Sequence, residues 1–163
     1  MNNSLTEEQV KVLNMSQSVI NEVRKVIIGK DEIIIKVLLS ILAGGHILIE
    51  DIPGVGKTTL AVALSKALSL DYKRLQFTPD VLPTDVTGFT ILNKETHKFE
   101  YKQGAALTNL FLADEINRTS SKTQSALLEV MEEGKVTVDG ITHKMPDLSL
   151  IHISEPTRLD VIS

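Results

Sequence analysis

In the N-terminal part of the chain apolar residues recur every three or four positions; further on they gather into short runs broken by glycine, proline and acids. Thr6-Glu7-Glu8-Gln9 has the form of a capping box, with acids in the first turn where the helix dipole favours them. Val10, Leu13, Val19, Ile20 and Val23 follow, so the spacing predicts an amphipathic helix from Thr6 to about Val26. Val26-Ile27-Ile28-Gly29-Lys30 reads as a short apolar connector. Asp31 suits the cap of a second helix, Glu32 to Ala43, which Gly44-Gly45 ends. His46 to Glu50 reads as a strand, and Thr58 to Leu70 as a helix packed through Ala61, Leu64, Ala67 and Leu68.

The pattern continues with a strand at Lys73 to Phe77 and a proline-punctuated loop over Thr78 to Asp85. Thr90 to Asn93 and Lys98 to Lys102 form one expected hairpin. Val136 to Val138 and Ile141 to His143, joined by Asp139-Gly140, form another. Between them, Leu110-Phe111-Leu112-Ala113 is wholly apolar and runs into Asp114-Glu115, as suits a strand covered on both faces of a parallel sheet. Ser121 to Glu133 reads as a helix stopped by Gly134. Strands alternating with helices imply an α/β class with a mostly parallel sheet. No internal repeat or low-complexity tract interrupts it.

Composition narrows the class. The 163 residues are 42% hydrophobic and 23% charged, which suits one domain with a real core. A net charge of −4 supplies no bulk attraction to nucleic acid. Cysteine is absent, which removes disulfides and thiolate metal sites and fits a reducing compartment. Met1 to Glu8 has no signal-peptide character, and the most apolar segment, Ile33 to Ala43, is too short to span a bilayer and carries Lys36. The expectation is a cytoplasmic protein with no membrane partner.

The chemistry gathers at Ile47 to Thr59. A short apolar run, then Pro53-Gly54-Val55-Gly56-Lys57-Thr58-Thr59, gives the order strand, glycine loop, helix. Loop and first-turn N–H groups can surround a polyphosphate where the helix dipole is positive. Lys57 would reach the β- and γ-phosphates, and the Thr58 hydroxyl would sit on Mg²⁺. Asp51 stands where the full motif has its first glycine. A tight turn alone would explain the two glycines but not the lysine and threonines in register.

Asp114-Glu115 supplies a second half. A carboxylate ending a neighbouring strand would share the Mg²⁺ shell with Thr58, and the next would act as general base on the attacking water. The other polar residues read as bland. His46, His97, His143 and His152 lack metal-ligand spacing, and Lys73-Arg74 reads as a solvated strand end.

Three segments together resemble the MoxR branch of the AAA+ ATPases: Leu75 to Gly88 (LQFTPDVLPTDVTG), Leu112 to Arg118 (LADEINR) and Lys122 to Met131 (KTQSALLEVM). The resemblance covers about Val26 to Asp147 and tolerates Asp51. It implies a P-loop NTPase fold, a three-layer AAA+ core with hairpin insertions, using ATP and Mg²⁺. It also implies adenine contacts near Ile28-Gly29, a pre-sensor hairpin at Lys135 to His143 and a homo-oligomer, hexameric in the family. The implied role is chaperone-like remodelling of client proteins, often beside von Willebrand factor A domain partners.

On this reading residues 1–25 are a leading helix and 26–147 an incomplete core. Residues 148–163 match no sensor asparagine, arginine finger or lid. Leu148 to Arg158 looks instead like a translated sequencing adapter, which makes 148–163 a foreign tail on a truncated frame. The expectation is that Leu148 to Ile153, being strand-like, fills the central slot left by the sensor strand. Two further readings stand beside ATP hydrolysis. One is nucleotide binding without turnover. The other, a DNA-directed motor, has only Lys135, His143 and Lys144 on its hairpin to support it.

Overall fold

The computed structural model describes residues 6–51, 56–146 and 150–156, with backbone alone at 50–51 and 150–156. Helix α1 (Glu7–Arg24) begins at the expected capping box: the Thr6 N–H donates to Gln9 Oε1 at 2.9 Å and the Gln9 N–H to Thr6 Oγ1 at 3.3 Å. Helix α2 (Asp31–Leu42) starts one residue earlier than expected. Its cap position is Lys30, and Asp31 is not the cap. Both Asp31 oxygens instead accept from Arg24, each at 2.9 Å, which ties the end of α1 to the start of α2.

Strand β1 (Ile47–Asp51) precedes α3 (Lys57–Ala67), and β2 (Tyr72–Gln76) follows. The loop expected over Thr78 to Asp85 is corrected in part: Pro83–Thr87 forms a short helix, α4. Pro83 suits a first helical position because it has no N–H to satisfy there, and Asp85 accepts the Leu82 N–H at 2.8 Å. Hairpin strands β3 (Gly88–Leu92) and β4 (Phe99–Gln103) are antiparallel, and β5 (Leu110–Asp114) comes next. Helix α5 (Ser121–Glu133) ends at Gly134, and the hairpin of β6 (Lys135–Val138) and β7 (Ile141–Lys144) turns on Asp139-Gly140. Both turn residues have positive φ, 49° and 78°, as a two-residue hairpin turn requires.

The last described strand, β8 (Leu150–Pro156), lies inside the sheet. The order is β1-β8-β5-β2, with every pairing parallel. Residues 148–149 of the expected slot-filling segment fall outside the described residues; the rest of it stands between β1 and β5.

Alternation along β5 builds the three layers. Leu110 and Leu112 join Val23, Ile34, Val37, Ile41, Leu60 and Leu64 from α1, α2 and α3 on one face. Phe111 and Ala113 join Phe77, Val86, Leu127 and Val130, with α4 and α5, on the other. All four apolar residues of β5 are buried, which explains why the strand reads as a continuous apolar run. On the second face Thr123 is fully buried and donates to the Val81 carbonyl at 2.9 Å, pinning the segment before α4 onto α5. Thr119 Oγ1 donates to the same carbonyl at 3.3 Å, so that acceptor keeps a partner when Thr123 is lost. Thr123→Val should therefore cost only about 1 kcal/mol, read as a lower urea midpoint at unchanged slope.

Candidate functional site

The site is built at the carboxyl ends of β1 and β5. Strand β1 delivers the chain to the glycine loop, of which Pro53, Gly54 and Val55 lie outside the described residues. Gly56 follows at φ +86°, a left-handed conformation that strains any residue with a Cβ. Its carbonyl accepts the Leu60 N–H at 2.8 Å, so α3 opens directly on Lys57, Thr58 and Thr59. First-turn amides precede any acceptor within their own helix and carry the positive end of its dipole, the arrangement that suits an anion.

The α1–α2 connector reaches this helix start. Ile27, Lys30 and Ile33 line one crevice together with Ile49, Gly56, Lys57 and Leu60. Gly29 has φ +74° and turns the connector here, whereas the Ile28 side chain is 86% exposed. The crevice wall thus comes from the residues flanking Ile28-Gly29.

Register places Asp114 in one row with residues of β2, β8 and β1, with β8 standing between β5 and β1. Gln76 of β2 pairs with Asp114, Asp114 with Ser154 of β8, and Ser154 with Ile49 of β1. The row ends on the sheet face that α3 covers, because Asp114 continues the alternation of Leu110 and Leu112. Glu115 follows at φ +57°, an uncommon conformation for a residue with a side chain, and turns the strand into a 3₁₀ turn at Ile116–Arg118.

Three polar residues to which the sequence reading gave no role at the site surround these carboxylates. Arg74 Nη2 donates to Asp114 Oδ2 at 2.6 Å and to Gln76 Oε1 at 2.7 Å. Gln76 Nε2 donates to Glu115 Oε2 at 2.8 Å, and Arg118 Nη1 donates to the same oxygen at 2.8 Å. Arg74 keeps the solvent exposure expected of a strand end, with its side chain 42% exposed, but it is also ion-paired with Asp114, which the expectation did not include. Lys73 points inward, donating to the Gly104 and Leu107 carbonyls at 3.3 and 3.5 Å. The available signal was the period of two: Tyr72, Arg74 and Gln76 share one face of β2, the face that meets the end of β5. Burial raises the Tyr72 phenol above its usual pKa, with Arg74 opposing and Asp114 adding to the shift.

Two of the described histidines make specific contacts. His46 Nε2 lies 3.0 Å from the Met131 carbonyl and so carries the hydrogen there. His143 stacks on Tyr101 with ring centroids 3.7 Å apart, joining the two hairpins. Among the described residues no group of three or more His, Cys, Asp or Glu side chains is arranged to hold a metal. Mg²⁺ does not require such a cage, because it is commonly held by one or two protein oxygens plus substrate phosphates and water. A threonine hydroxyl at a helix start and a strand-end carboxylate on the same sheet face are hard oxygen donors that fit it. No helix among the described residues is long and apolar enough to cross a membrane.

Comparison with known proteins agrees with this architecture. Residues 46–158 match the family described as the ATPase family associated with various cellular activities (AAA). The chain is 56% identical over 128 residues to YeaC of Bacillus subtilis (strain 168), covering 78% of this chain and 40% of that protein. It is 41% identical over 130 residues to chaperone MoxR1 of Mycobacterium tuberculosis, covering 80% of this chain and 34% of that protein. A solved structure from Cytophaga hutchinsonii ATCC 33406, named provisionally as an ATPase, superposes with TM-score 0.78 at 38% identity. It covers 95% of this chain and 49% of that one. The chain thus spans well under half the length of the curated relatives it matches. A phosphate-loop helix start, a strand-end Asp-Glu pair and a parallel sheet now coincide with these matches: the chain belongs to the AAA ATPase family, in its MoxR branch.

Proposed function

We infer that this chain is the nucleotide-binding portion of a MoxR-type ATPase that binds ATP with Mg²⁺ and hydrolyses it to ADP and phosphate. The observation that carries the reading is the pairing of two sites on one sheet face. Lys57-Thr58-Thr59 opens α3 behind a left-handed Gly56, and Asp114-Glu115 ends β5 two strands from β1. Loop amides at 53–56 and the Lys57 ammonium bind the β- and γ-phosphates, with Thr59 in the same first turn. Thr58 and Asp114 would hold Mg²⁺, which when bound supplies positive charge to the phosphates. Glu115 accepts the proton of the attacking water, and Gln76 and Arg118 orient its carboxylate. Gly29 and the Ile28 backbone bound the nucleotide's far end beside the Ile27 crevice.

By analogy with the family, hydrolysis would drive remodelling of a client protein by a homo-oligomeric ring of six subunits in the cytoplasm, beside a von Willebrand factor A domain partner. The name of chaperone MoxR1 supports the chaperone-like part. We also propose that residues 148–163 are foreign to the native sequence and replace its sensor strand, the family match running on to residue 158 through the strand position that β8 takes up in the sheet. Reading the source DNA past the Asp147 codon tests this, and recovery of an Ala-Thr-Gln-Asn-Pro-like segment is the expected result.

A second reading, nucleotide binding with little turnover, is favoured by β8. Its register sets Ser154 beside Asp114 and puts Glu155 and Pro156 at the carboxyl end, where the resemblance calls for an asparagine. Equilibrium ATP binding and phosphate release, measured together, separate the two. Lys57→Ala should weaken binding by about 10- to 100-fold on either reading, because a charged hydrogen bond is lost. Release above background supports the hydrolase, and binding without release supports the second reading. Unchanged affinity in Lys57→Ala would sink both.

A further inference from the structure

We propose that Arg74 is a built-in competitor of the metal at Asp114, so that loading the site with a divalent cation includes displacing this side chain. The inference rests on the reading of Asp114 as a metal-holding residue and adds to it a residue that opposes the metal. The contact is direct: Arg74 Nη2 lies 2.6 Å from Asp114 Oδ2. The two partners differ in freedom. The Asp114 side chain is 17% exposed at the end of a buried strand, whereas the Arg74 side chain is 42% exposed on an edge strand with solvent to move into. The carboxylate is the fixed partner and the guanidinium the one that can leave.

Two electrostatic effects act in the same direction. A divalent cation ligated through Oδ2 would share that oxygen with the guanidinium, which draws electron density from it and places a second positive charge a few ångströms from the metal. A cation bound instead through Oδ1 would sit a few ångströms from the guanidinium, where like charges repel. Arg74 also donates to Gln76 Oε1 at 2.7 Å, so it has a second acceptor that the cation does not take. Arg118 is the natural contrast. It carries the same charge one residue along the site, but its guanidinium sits on Glu115 and not on Asp114.

The test uses the full chain and a fluorescent ADP analogue titrated with Mg²⁺, reading the Mg²⁺ concentration at half-maximal signal; no turnover is needed. Arg74→Met should lower that concentration by about two- to fivefold, the scale of a partly exposed ion pair. Arg74→Lys, which keeps the charge but loses the guanidinium's shared contact, should fall between the two. Arg118→Met should shift it less than half as far. The proposal is overturned if Arg74→Met leaves the midpoint unchanged or raises it. It is equally overturned if Arg118→Met lowers the midpoint as much, because general charge would then explain the effect. Asp114→Asn separates the underlying reading: a midpoint unmoved by that substitution removes Asp114 from the metal site and the competitor with it.

Discussion

Deleting residues 148–163 should abolish cooperative unfolding of this chain. Strand β8 is paired along five register positions with β1 on one side and along five with β5 on the other. Neighbouring strands lie about 4.8 Å apart, so removing the strand between them leaves β1 and β5 about 10 Å apart, too far to bond directly. Each backbone group stranded without a partner costs about 1–3 kcal/mol, against a total stability of about 5–15 kcal/mol for a typical domain. The loss exceeds the margin even if the strands partly close up. A thermal or urea melt of the 1–147 chain should keep helical far-UV signal but show no sharp transition. A sharp transition with the slope of the full chain would mean that β1 and β5 find another partner and that β8 is dispensable.

Glu115→Gln should lower phosphate release by about 10²- to 10⁴-fold while ATP affinity changes little, because general-base catalysis contributes on that scale. The substitution is nearly isosteric. Its amide oxygen can still accept from Gln76 Nε2 and Arg118 Nη1, so the left-handed turn at residue 115 and the 3₁₀ turn behind it should survive. What disappears is the basic oxygen that takes the water's proton. Single-turnover phosphate release beside equilibrium ATP binding measures both halves of the prediction. Release that persists at the unmutated rate would assign the proton to another group. The contrast with Lys57→Ala is informative, because that substitution acts on binding and this one on the chemical step.

Much of the layout was legible because local physics fixes it. The Thr6–Gln9 capping box, the stop at Gly134 and the Asp139-Gly140 turn each depend on a few adjacent residues, and each forms where expected. The apolar run ending in Asp114 was legible because a strand buried on both faces has no polar positions until it leaves the core. Short-range reading failed at Asp31, where a longer-range partner won, and at Thr78 to Asp85, where local helix-start signals were outweighed by loop composition. Asp31 has a cap's chemistry, but Arg24 one helix earlier takes both its oxygens. Thr78 to Asp85 has loop composition, yet Pro83 and Asp85 suffice to start a one-turn helix that packs Val86 into the core.

The candidate site divides in the same way. Sequence alone carried the glycine-lysine-threonine pattern, the Asp-Glu pair and the family resemblance, because those depend on residue type at fixed spacing. Only the tertiary structure decided what surrounds them. Arg74 and Gln76 are far from Asp114 in the chain and meet it because β2 and β5 lie side by side in parallel register. Parallel pairing joins residues distant in sequence, so no local pattern announces it. The central position of β8 is the same kind of fact: an apolar segment is strand-like by composition, but only an unfilled place between β1 and β5 settles where it goes.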